Sequence, residues 1–272
     1  MPKRTLNVLI FGGTSGIGLA LAHHHLALGW QVTVVGSRAD KINALTTSYP
    51  PIRALQYDLA HRQNRQDLLT QLDHEAVSSS NFNRIFYCAG WYLNERMTTL
   101  TQADSEKMLA INLQAFHDVF AWASEHLKQN DGLKNTNDPL QPPIRPALIC
   151  LASIAGVMDY PYASLYAKCK RAMITTASAY RLALSPFDIQ VNCIASGYVD
   201  TQTLRDLNNG DTSHKPFVID EQTAVHHIMQ AIEDNTELAI FPKQMRYLTG
   251  VLNRLPKPLL NALMRQKLDK LP

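Results

Sequence analysis

The chain has 272 residues, 46% apolar and 18% charged, a balance that can close a substantial core and excludes collagen-like, coiled-coil and broadly disordered architectures. Its formal charge of +3 is uneven: residues 243–272 hold seven basic residues against one acidic, a local +6, which leaves −3 for the body. That body shows no interleaving of basic and aromatic residues over 41–65, which speaks against specific nucleic-acid binding. The widely spaced Cys88, Cys150, Cys169 and Cys193 form neither a Cys-x-x-Cys zinc pair nor a disulfide framework.

Met1-Pro2-Lys3-Arg4 runs directly into the apolar stretch Leu6 to Phe11, too short for a signal peptide or a membrane span. Together with the cysteine usage this predicts a cytoplasmic protein. The stretch itself reads as a buried strand closed by Gly12. A helix follows from Gly16 to Leu28, Gly29 stops it, and Gln31 to Val35 gives a second strand ending at Gly36. Further apolar runs recur at Arg84 to Cys88, Ala147 to Ala152, Ile189 to Ile194 and Leu238 to Phe241, with helical-period segments between them. Such alternation predicts an α/β fold, a doubly wound parallel sheet with helices on both faces.

The segment Lys128 to Pro146, rich in Asn, Asp, Gln and Pro, reads as an exposed loop within one domain. Pro186 is placed to end the helix before it. At the end of the chain Leu259, Leu260, Leu263, Met264, Leu268 and Leu271 give a last helix one apolar face, too short to cross a bilayer. The expected organisation is a catalytic body over 1–242 and a basic helical tail over 243–272. His23-His24-His25 and His226-His227 look like metal clusters, but neighbouring helix residues point about 100° apart and cannot converge on one ion. No metal is expected.

Chemistry begins at Gly12-Gly13-Thr14-Ser15-Gly16-Ile17-Gly18, between the first strand and the first helix. Glycine there allows awkward backbone angles and close approach to a pyrophosphate, and the helix amino terminus offers free N–H groups. After the second strand stands Gly36-Ser37-Arg38, with no acid to hold the ribose hydroxyls of NAD and with a guanidinium suited to the 2′-phosphate of NADP. NADP is therefore expected over NAD. Tyr166 and Lys170 are four residues apart, so on a helix they share a face, and a nearby ammonium would lower the phenol's pKa towards use as a general acid or base.

Together these motifs resemble the short-chain dehydrogenase/reductase family in its NADP-using branch with a Tyr-x-x-x-Lys pair. Gly12, Gly16 and Gly18 fit that family's cofactor turn, Asp58-Leu59 its adenine-contacting acidic pair, and Cys88-Ala89-Gly90 the end of its Asn-Asn-Ala-Gly strand motif. Asn112, Ser153, Tyr166 and Lys170 fit its catalytic positions, while Gly197, Val199 and Thr201 would border the nicotinamide. Phe11, Cys88 and Ser196 depart from the family's usual Thr, Asn and Pro, all in supporting positions.

The resemblance implies a sheet of about seven strands and interconversion of a carbonyl with an alcohol. Tyr166 would exchange the proton, Lys170 would lower its pKa and hold the nicotinamide ribose, Ser153 would bind the substrate oxygen, and Asn112 would hold a water. The alternative function is a catalytically silent NADP-binding regulatory or scaffold protein. Trp91, Tyr92, Met158, Tyr160, Tyr198 and Phe217 are expected to line the substrate pocket, for an uncharged or lipid-like carbonyl compound. A homodimer or homotetramer is expected. The basic tail is expected to pack within or between subunits, with contact to an anionic membrane surface as the alternative.

Overall fold

A computed structural model describes residues 6–78, 81–93, 95, 99–129, 144–161 and 163–268. The middle of the expected 128–146 loop lies outside these residues. Seven parallel strands form one sheet in the order β3-β2-β1-β4-β5-β6-β7: β1 Asn7–Phe11, β2 Gln31–Gly36, β3 Arg53–Gln56, β4 Arg84–Tyr87, β5 Ala147–Leu151, β6 Gln190–Ser196 and β7 Leu238–Phe241. Six of them fall on the apolar runs of the sequence to within two residues at each end. The unpredicted one, β3, is a four-residue strand at the sheet edge whose ends, Arg53 and Gln56, are exposed, so it carries no apolar run to read.

The period-two alternation of β1 divides the core. Leu9 and Phe11 face one side with Phe116, Val119 and Phe120 of α5 (Phe116–Lys128) and Met173 and Ala177 of α6 (Leu165–Leu184). Val8 and Ile10 face the other with Leu21 and Ala22 of α1 (Gly16–Ala27), Leu45 of α2 (Ala39–Ser48), and Ile228 and Ile232 of a later helix, Glu221–Glu233. Each fully buried side chain of this kind contributes about 1.5–3 kcal/mol, which is what pins helices to both faces of the sheet.

Between β2 and α5 the chain also forms α3 (Arg62–Ser78) and α4 (Gln102–Leu109). After α4 a π-helical turn over Ala110–Ala115 leads directly into α5. After β6 come α7 (Gln202–Asp206), α8 (Glu221–Glu233), α9 (Lys243–Leu252) and α10 (Lys257–Leu268). The first tail helix meets the body, with Met245 beside Gly197 and Asn253 Nδ2 donating to the Val157 carbonyl at 3.4 Å. Met245, Thr249, Leu260 and Met264 are buried, while Tyr247, Val251 and Leu259 stay exposed. No helix among the described residues is long and apolar enough to cross a membrane. His25, read as part of a histidine run, is fully buried, with Nδ1 2.8 Å from the Leu21 carbonyl and its ring edge-on to Trp30 and Phe86. Burial pulls its pKa down to about 3, so it stays neutral as a core residue.

Candidate active site

The carboxyl ends of β1, β2 and β4 open into a cavity of about 310 Å³. Gly12, Thr14, Ser15, Gly16, Ile17 and Gly18 form its floor at the start of α1, Ser37, Arg38, Asp58 and Leu59 one wall, and Cys88, Ala89 and Gly90 the other. Two of the glycines are dictated by geometry. Gly12 has φ +79°, and a Cβ there would lie 2.6 Å from the Ala89 nitrogen, while a Cβ on Gly18 would run into the Gly12 carbonyl oxygen. Ser15 at the N-cap of α1 makes no side-chain cap, and the first turn holds no acid, so the leading N–H groups are open to an anion. This donor set fits the pyrophosphate of a dinucleotide.

A second cavity of about 760 Å³ adjoins the first, and Ile17, Thr201 and Thr203 line both. Ser153, Tyr166, Gly197 and Val199 line it together. Tyr92, Tyr160 and Tyr198 from the expected aromatic set also face it. The other three do not: the Trp91 ring lies against the Lys107 ammonium at 5.3 Å, Met158 is absent from the lining, and Phe217 is 48% exposed.

Tyr166 stands in the first turn of α6, whose first three N–H groups all find acceptors. The Leu165 and Tyr166 amides donate to Glu95 Oε2 at 3.0 Å and Oε1 at 3.2 Å, and the Ala167 amide donates to the Ser164 hydroxyl at 3.2 Å. The carboxylate thereby complements the helix dipole and ties the loop after β4 to α6. Glu95 went unread in the sequence because its partner lies seventy residues away and no local spacing announces it. Tyr92 of the same loop packs edge-on against the Tyr166 ring, centroids 4.8 Å apart.

One turn along α6, Lys170 is buried, its Nζ donating to the Leu151 carbonyl at 3.0 Å and lying 5.6 Å from the Tyr166 ring centroid. Asn112 sits in the π-helical turn, a distortion that often accompanies functional positions. Its Nδ2 donates to the carbonyls of Trp91 at 2.7 Å and Met108 at 3.0 Å. Its buried Oδ1 has no partner among the described residues, and both it and Lys170 Nζ border the space above Gly90, 3.3 and 3.4 Å from where a Cβ would stand.

The expected lowering of Tyr166 by Lys170 needs correction. Burial pushes the phenol up to about 12, with Ser153 pulling against this through a hydrogen bond and Tyr92 adding to it. It is Lys170 that moves down, to about 8, because its ammonium is enclosed. Desolvation is the largest influence on both groups. Arg38 is held in a fork by Asp40, Nε to Oδ1 3.1 Å, on an exposed surface, and Lys41, unread in the sequence, lines the same cavity.

The family model for short chain dehydrogenases matches residues 6–212. A 3-oxoacyl-(acyl-carrier-protein) reductase of Aggregatibacter actinomycetemcomitans is 27% identical over 206 residues, covering 72% of this chain and 77% of that protein. A 7beta-hydroxysteroid dehydrogenase of Clostridium sardiniense is 24% identical over 251 residues, 90% of this chain and 86% of that protein. Among solved structures, a short-chain dehydrogenase from Sphingobium yanoikuyae in complex with NADPH superposes with a TM-score of 0.73 at 18% identity, covering 93% of this chain and 97% of that one. With the family model extending from the first strand past α7, the chain belongs to the short-chain dehydrogenase/reductase family of oxidoreductases.

Proposed function

We propose that the protein is an NADP(H)-dependent oxidoreductase that interconverts a carbonyl compound and an alcohol. The observation that carries this reading is that Tyr166 and Ser153 face one largely apolar cavity that opens onto the glycine-floored cradle. The bound nicotinamide supplies or accepts the hydride. In the reducing direction Tyr166 gives its proton to the substrate oxygen, and a pKa of about 12 keeps it protonated through neutral pH. Ser153 hydrogen-bonds the same oxygen and stabilises the charge that develops on it. Lys170 has ammonium protons to spare beyond its bond to the Leu151 carbonyl and holds the ribose. The open Oδ1 of Asn112 accepts from a water in the space above Gly90.

NADP(H) is favoured because the wall beyond β2 offers Arg38 and Lys41. The exposed Arg38–Asp40 pair is screened by water and yields to a phosphate carrying nearly two charges. The NADPH-bound Sphingobium yanoikuyae structure supports the same choice. Four unpaired cysteines, with Cys150 and Cys193 sulfurs 3.4 Å apart as thiols, fit a reducing cytoplasmic setting. Titration with NADPH and NADH tests the reading, followed by a panel of aldehydes and ketones. NADPH binds at least about tenfold more tightly on this account; equal affinities, or a preference for NADH, contradict it.

A further inference from the structure

Among the described residues two charged side chains line the second cavity, Glu95 and Lys215. Glu95 is committed, each carboxylate oxygen accepting an amide hydrogen from the start of α6. Lys215, from the segment between α7 and α8, is not. Its ammonium lies 5.7 Å from the centroid of Tyr198, a ring of the same cavity, and it makes no ion pair among the described residues. The remaining wall is mostly apolar or aromatic, including Ile17, Leu93, Ile154, Tyr160 and Leu204. We infer that the substrate is a carbonyl compound with an apolar body and an anionic group, a carboxylate or a phosphate, remote from the carbonyl, and that Lys215 takes that group.

This deepens the oxidoreductase reading, on which it rests, and replaces the expectation of an uncharged substrate. The physical reason is asymmetric. An apolar molecule filling the cavity strips water from Lys215 and returns nothing, so a neutral compound meets an uncompensated cation. A compound with an anion at the right end meets the same cation as a partner, in surroundings where poor screening strengthens the pair. Discrimination therefore comes from both the gain and the penalty.

The test uses the full chain loaded with NADP+, which has no hydride to give, and a medium-chain keto acid whose ketone and carboxylate lie at opposite ends, compared with its methyl ester; an alkyl phosphate of similar length forms a further arm. Binding is followed by calorimetry, so that the answer does not depend on turnover. The keto acid is expected to bind about tenfold more tightly than the ester, between the effects of exposed and buried pairs. Tighter binding of the alkyl phosphate would also support the inference and name phosphate as the group. Lys215→Met, which keeps the apolar stem, should erase the preference and Lys215→Glu should invert it, with NADPH affinity unchanged. Equal binding of acid and ester by the wild type, or a preference that survives Lys215→Met, overturns the inference. Failure of every aldehyde and ketone to react would instead overturn the oxidoreductase reading, and the acid-to-ester ratio would still report on Lys215.

Discussion

The two halves of the site are built differently. The heart of the cofactor cradle is backbone, a glycine turn and open N–H groups at the start of α1 within one continuous stretch, with strand ends around it and the side chains of Arg38 and Lys41 at its edge. The substrate half is side chains brought together from six separate segments, around Ile17, Tyr92 and Glu95, Ser153 to Tyr160, Tyr166, Tyr198 to Leu207, and Lys215. A backbone site tolerates almost no change at its close approaches. A side-chain site can change its ligand while keeping its chemistry, which is why one fold serves many substrates.

The largest effect should come from breaking the backbone half. Gly12→Val forces a branched side chain into a left-handed conformation and against Ala89, and NADPH affinity should fall by about a hundredfold or more. Calorimetric titration alongside a melting curve would show it, and wild-type affinity would refute the cradle. Glu95→Ala tests how far the substrate half depends on its loop. Losing both acceptors at the start of α6 should lower kcat about tenfold while leaving NADPH affinity alone. Ser164→Ala uncaps the same helix end without freeing the loop, and should cost less; equal losses would reduce Glu95 to a simple cap.

Between the halves lies Lys170, and its prediction concerns pH. Its folded-state pKa of about 8 lies below the value of 10.5 for an unperturbed lysine, so the unfolded chain binds more protons between these pH values, and this residue's contribution makes the fold more stable as pH rises through that window. Lys170→Met should flatten the rise, by up to about 3 kcal/mol if burial is complete. Parallel stability curves for the two proteins from pH 8 to 10.5 would contradict it. The smallest effects belong to the exposed edge of the cradle: Arg38→Ala and Lys41→Ala should each weaken NADPH binding several-fold and leave NADH unchanged. A matching loss for NADH would mean that neither reads the extra phosphate.

This contrast also explains what could be read from the sequence. Six strands and the whole glycine turn were legible because each is written in consecutive residues. Asn112, Ser153, Tyr166 and Lys170 were legible through their family spacing, and the structure brings them around the space between Gly90 and the second cavity. Glu95 and Lys41 were not, since each acts through a contact that only the folded chain makes. The direction of the Tyr166 shift was misread because spacing reveals the nearby ammonium but not the enclosure of the phenol. Edge strand β3 was missed because half of its four residues face solvent.

The central claim is that Tyr166 exchanges the proton at the junction of the two halves. Its most direct test is the rate of NADPH oxidation with a reactive ketone in the wild type and in Tyr166→Phe, with NADPH affinity measured on both. The account predicts kcat lower by about 10²–10⁴-fold at unchanged NADPH affinity. Turnover within a few-fold of wild type would contradict it.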